Sequence, residues 1–273
     1  CQAQGVNCVS MGRQSGQSDQ GNGAISVGYL AGQISQNAQA TAVGYEAGRL
    51  AQGSGAIAMG GYRAGYTTQG NSAVALGQQA GCQSQGTQAV AIGASAGNLN
   101  QAADAVAVGR LAGSNNQGLQ SVAIGSSAGT ITQGVNSVAV GIRAGYNDQG
   151  SSTVAIGNNA GRDGQNNFAV SIGHNAGSQA QGDQGIAIGR DAGTVAQTSH
   201  SVAIGYLAGN NSQGTAGVAI GLRAGRISQN IHCVAISTDA GAGGQGSNAI
   251  AIGREAASQA QGDHSVAIGR QAG

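Results

Sequence analysis

The chain has 273 residues, among them 52 Gly, no Pro and no Trp, with aromatics at 3% and charged residues at 8%. Its length would suit two ordinary globular domains, but so few bulky side chains ordinarily leave a chain disordered, because little apolar burial offsets the entropy of ordering the backbone. Eleven basic against ten acidic residues leave a net charge of +1, too weak an overall field to attract phosphate backbones or anionic membranes, so neither nucleic acid nor membrane contact is expected.

What overrides the composition is a repeat. Read in chain order, a five-residue core begins as CVSMG at Cys8, AISVG at Ala24, ATAVG at Ala40 and AIAMG at Ala56, and continues through AVALG at Ala73 to SVAIG at Ser265. Seventeen copies follow one another at sixteen-residue steps, except for one step of seventeen where Gly61 is inserted. A fixed period of this length is the mark of a solenoid, each repeat one coil stacked on its neighbours. The expected fold is therefore all-β, a parallel β-solenoid or β-roll of seventeen coils, with residues 1–273 as a single repeat domain. The chain starts and stops in mid-repeat, so a fragment of a longer protein is expected.

Numbering SVAIG as positions one to five, positions two and four are Val, Ile, Leu or Met in every copy except Thr41. Residues two apart on a strand share a face, so these columns make one aliphatic face, which is expected to fill the inside of the roll. Gly stands at position five in every copy but one, Ser237, and at position nine in every copy but one, Ala257. Position fourteen alternates Gly with Asn37, Asn166 and Asn230, which predicts a turn residue with positive φ there. The G-x-x-A-G step after each strand is read as a structural turn, since a phosphate-binding loop occurs once per domain rather than seventeen times.

Position thirteen is Gln in all seventeen copies. Gln117, Gln133, Gln149, Gln165 and Gln181 are accordingly expected to form a hydrogen-bonded amide ladder at a coil spacing of about 4.8 Å, whether it faces inward or outward. Positions one, three and five hold only Ala, Ser, Thr, Cys or Gly. If the aliphatics point inward, this small-residue face points outward, and its lack of large polar side chains predicts close packing on a second copy. Ala107, Ala123, Ala139, Ala155, Ala187 and Ala203 are the expected contact residues.

Four cysteines show no metal-ligand spacing, and only Cys1 and Cys8 are close enough in sequence to be weighed for a bridge; small residues in small columns is the favoured reading. His200, His232 and His264 share one column at 32-residue intervals, too far apart across two coils to share a metal or a proton. No catalytic, cofactor or metal site is expected, and the chain reads as a structural protein rather than an enzyme. The variable columns after SVAIG carry Tyr29, Tyr45, Tyr62 and Tyr206 interleaved with Arg13, Arg110, Arg190, Arg254 and Arg270. Tyr and Arg often anchor interfaces, which makes this rim the candidate adhesive surface.

Runs such as NSVAVG from Asn136 and QSVAIG from Gln120 resemble the head repeat of YadA-like trimeric autotransporter adhesins and related viral and phage fibre proteins. The resemblance implies a left-handed roll assembled as a homotrimer on a cell or virion surface, extracellular, where it would bind a host matrix protein or surface glycan. A self-assembling filament without a ligand and an ice-binding solenoid are the alternatives. Against the last, regular Thr rows are missing.

Overall fold

In the computed structural model, which describes residues 2–273, the chain is an all-β parallel solenoid without a helix. It divides into two compact units, Cys1–Asn136 and Ser137–Gly273, each built from coils with two short strands. One strand of each coil carries positions two to four and the other positions eleven to thirteen. In the first unit the former run from Val9–Met11 to Val122–Ile124 and the latter from Gln2–Gln4 to Ile131–Gln133. Parallel neighbours pair residue for residue, Val106 with Val122 and Ala107 with Ala123 on one sheet, Gln101 with Gln117 on the other. The second unit repeats the plan from Val138–Val140 and Asn147–Gln149 onward. Its second sheet ends early, continuing only as isolated bridges from Gln229 to Gln245 and Gln261, where Gly243 and Gly244 replace strand-forming residues.

Each strand has three residues because the backbone turns away at once. Gly125 follows Ile124 with φ 124°, Ser127 has φ 58° and Asn136 φ 57°, and the middle residue of the second strand is itself left-handed, Thr132 at φ 50°. Backbone bonds between coils fix these turns in register: Gly97 N donates to Ala112 O at 2.9 Å and Gln88 N to Asn71 O at 2.8 Å. The positive φ expected at position fourteen falls instead at position sixteen. Glycine prevails at fourteen for clearance, since a Cβ on Gly86 would stand 2.4 Å from Ala103 N of the next coil.

The two faces of the first strand are the reverse of the expectation. Before the last coil, alanines at positions one, three and eight are buried, whereas the aliphatics at positions two and four point outward and Ile124 is 40% exposed. The largest fully buried side chains are the glutamines of position thirteen. The cause is the narrowness of the coil. Gln117 reaches across the interior from one sheet and donates through Nε2 to the carbonyl of Val106 on the other at 2.8 Å, so one amide side chain spans the whole core. No room remains between the sheets for Val or Ile, and methyl groups of Ala fill what is left. Gly129, at φ 52°, clears the same space, because a Cβ there would lie 2.7 Å from Gln133 Oε1.

The ladder therefore faces inward. Gln101 donates to Gln117 Oε1 at 3.0 Å, Gln149 to Gln165 at 3.3 Å and Gln165 to Gln181 at 3.1 Å, while Gln133 Nε2 donates to Val122 O at 2.8 Å. Where position three is Ser, its hydroxyl joins in: Ser26 Oγ donates to Gln36 Oε1 at 2.6 Å.

Candidate functional site

With the interior filled by the chain itself, Ala107, Ala123, Ala139, Ala155, Ala187 and Ala203 are all 0% exposed and cannot meet a second copy. The expectation failed because it took the larger side chains to be the internal ones; in so thin a roll, smallness marks the inside. The surface for self-association is consequently the opposite face of the same strand. Along each unit, positions two and four form a double row of Val, Ile, Leu and Met, with Ile92 37% exposed in the first unit and Ile156 39% in the second. Contiguous aliphatic surface of this extent is seldom left in water by a monomer.

The other exposed feature is the corner formed by positions six to ten. Gly at position five leaves the strand with positive φ, the position-six side chain projects outward, and position eight returns Ala to the core. Within each unit position-seven amides bond back to the position-six carbonyl of the preceding coil, as Glu46 N does to Tyr29 O at 2.8 Å and Arg63 N to Tyr45 O at 2.9 Å. The position-six side chains are thereby superposed coil on coil. Tyr29, Tyr45 and Tyr62 stack with ring centroids 5.0 and 5.6 Å apart. Inserted Gly61 keeps Tyr62 in this column, and the strands on either side stay in register, Ile57 with Val74.

Guanidinium groups lie against the two end rings of the stack, Arg13 at 5.8 Å from the Tyr29 centroid and Arg63 at 4.8 Å from that of Tyr62, within the range of a cation–π attraction. Arg63 also lies 4.8 Å over Tyr66, whose hydroxyl accepts from Arg49 at 3.0 Å. Glu46, its side chain 8% exposed, holds the cluster together by accepting from Arg63 Nε at 2.6 Å and from Arg49 at 3.3 Å. The hydrogen bond to Glu46 raises the Arg63 pKa above its ordinary value.

In the second unit Arg190 sits 4.2 Å over Tyr206, and Arg254 pairs with Glu255 at 3.1 Å. Hydrogen bonds from Gln271 first, then Arg254, hold the Glu255 carboxyl below the usual range. Of the rim residues, Tyr29, Tyr45 and Tyr62 are brought together, and Arg190 with Tyr206. Arg110 stands between Ala94 and Ser126 in its column without an aromatic partner. Glu46, Arg49, Arg63 and Tyr66 escaped the sequence reading; the signal was there, since positions seven and ten flank the same turn as position six.

Among the described residues no group of His, Cys, Asp and Glu is placed to hold a metal. Cys8, Cys82 and Cys233 are free thiols, burial pushes the last two up in pKa, and Cys1 lies outside the described residues.

Residues 167–192, 180–208 and 245–272 match the model of the YadA head domain repeat (2 copies). No curated protein matches the chain. The matched residues carry the inward Ala, the inward Gln and the outward aliphatics described for both units. Residues 167–208 and 245–272 therefore form a YadA-like head-repeat region.

Proposed function

We propose that this chain is a segment of an adhesin-type surface fibre that self-associates, as a homotrimer, through the aliphatic face of positions two and four, and displays the Tyr and Arg corner to a host matrix or glycan ligand. The observation that carries it is the double aliphatic row left open along both units. A core of Ala and Gln buries little apolar surface per residue, so covering that row with further copies adds the burial each chain lacks. The match to YadA-type head repeats supports the trimer and an extracellular, cell-surface location. The single-domain reading of residues 1–273 is part of this proposal. Val and Ile on the outer face, in place of hydroxyl rows, favour association between sheets over ice binding.

The test is the mass of the chain in solution by sedimentation, beside a variant with Ile92→Arg and Ile124→Arg. The unmodified chain should sediment as a trimer and the variant as a smaller species with unchanged strand content. A folded monomer with its aliphatic rows in water would end the trimeric-fibre reading.

A further inference from the structure

The net charge of +1 conceals a separation of charge. All eleven arginines, and all six tyrosines, occupy positions six, seven and ten, which in each unit lie on the one corner that follows the SVAIG strand. Only four carboxylates share that corner, Glu46, Asp191, Asp239 and Glu255 at position seven. Each of the four is within ion-pair distance of a corner arginine. The other six carboxylates are distributed over positions eleven, twelve, fifteen and sixteen, where there is no cation. Of these, Asp163 alone among the described residues reaches back, to Arg162 at 2.7 Å. Arg110, Arg143 and Arg226 make no ion pair among the described residues. Each unit therefore has a net positive corner and net negative remaining sides.

We infer that this corner binds an extended anionic polysaccharide, its sulfate or carboxylate groups taken by the arginines and its hydroxyls by the tyrosine phenols. The inference deepens the fibre reading and rests on it for the outward placement of the corner. Arginine is the cation suited to such groups, because its planar fork of donors matches a sulfate or carboxylate in two-point fashion. Coils repeat at about 4.8 Å along the corner, so a linear polymer lying along it meets a new side-chain row at every coil. The tyrosines argue against a single-stranded nucleic acid. Base binding needs open aromatic faces, whereas Tyr29, Tyr45 and Tyr62 cover one another at 5.0 and 5.6 Å, with Arg13 and Arg63 against the two end rings. What they present is ring edges, the geometry for hydrogen bonding rather than for stacking.

The experiment is titration of the full chain with heparin, with neutral dextran and poly-dT as comparators, at several salt concentrations, and sedimentation of the same samples. Heparin should bind with an affinity that falls steeply with salt, and dextran should not bind. The triple variant Arg110→Gln, Arg190→Gln, Arg254→Gln should lose at least tenfold in affinity with a shallower salt dependence, while Asp104→Asn with Asp183→Asn should not weaken binding. Tighter binding of poly-dT than of heparin, or an unaltered affinity in the triple variant, would overturn the inference. A trimer that ignores heparin refutes the polyanion site and leaves the fibre standing; a monomer that binds heparin refutes the fibre and leaves the site.

Discussion

A buried glutamine in every coil is an unusual choice for a core, because an amide taken from water must find a partner for each of its polar atoms. Here most do. Gln101 Nε2 donates to Val90 O at 2.9 Å, Ala105 O at 3.2 Å and Gln117 Oε1 at 3.0 Å, tying both sheets and the next coil together through one group. The exceptions are instructive. Gln85 Oε1 is buried without a partner, and its coil has Ala75 where two earlier coils have Ser10 and Ser26, each of which donates to the glutamine ten residues on, at 2.9 and 2.6 Å. Ala75→Ser should therefore supply the missing donor without enlarging the core by more than an oxygen. We expect a gain of about 1 kcal/mol, read as a higher denaturation midpoint. A loss of similar size would mean that Gln85 Oε1 is not the deficit the geometry indicates.

At the level of the strand, periodicity separated the two faces correctly and hydrophobicity assigned them wrongly. Coil length and the order of strand and turn were legible because Gly at position five, position nine or both punctuates every repeat, and alternation at two-residue spacing is a property of any strand. The strands are nevertheless three residues long, shorter than the five-residue core, and the positive-φ turn sits two residues beyond position fourteen. Which face turns inward depends on the distance between the sheets. That distance is set by the positive-φ turns at Ser127 and Asn136 and the positive-φ strand residue Thr132, which ordinary side chains conceal in a sequence. The invariant Gln held the clue, since an amide found in every coil although its outward neighbours vary is constrained by the interior. The two faces can be told apart by experiment. Ala123→Leu should cost on the order of 3 kcal/mol or prevent folding, because an interior spanned by one glutamine has no space for three more carbons. Ile124→Asp should leave the fold of the single chain nearly unchanged and act on assembly alone. Denaturation of both variants, with sedimentation of the second, decides; a greater stability loss for Ile124→Asp than for Ala123→Leu would restore the opposite assignment.

For the molecule as a whole, three surfaces with separate chemistry emerge from one sixteen-residue unit: an aliphatic face, a basic aromatic corner and acidic remaining sides. Column identity keeps them apart, so a change in one column alters one surface in every coil that carries it. The corner was only half legible in the sequence, because Arg63 and Glu46 matter through contacts made between coils. Gly61 shows how much the arrangement will bear. It is an extra residue placed at the corner; a Cβ upon it would meet nothing within 4 Å, and Thr41, Ile57 and Val74 remain paired in sequence across it. Lengthening at this turn is thus uncoupled from the ladders on either side, which makes it a natural port for grafted sequence. A short flexible epitope placed between Gly60 and Gly61 should be displayed to an antibody on the intact protein, with the thermal midpoint shifted by no more than a few degrees. The same epitope placed between Ala123 and Ile124 should abolish folding, since it would divide a strand whose every neighbour is held in register.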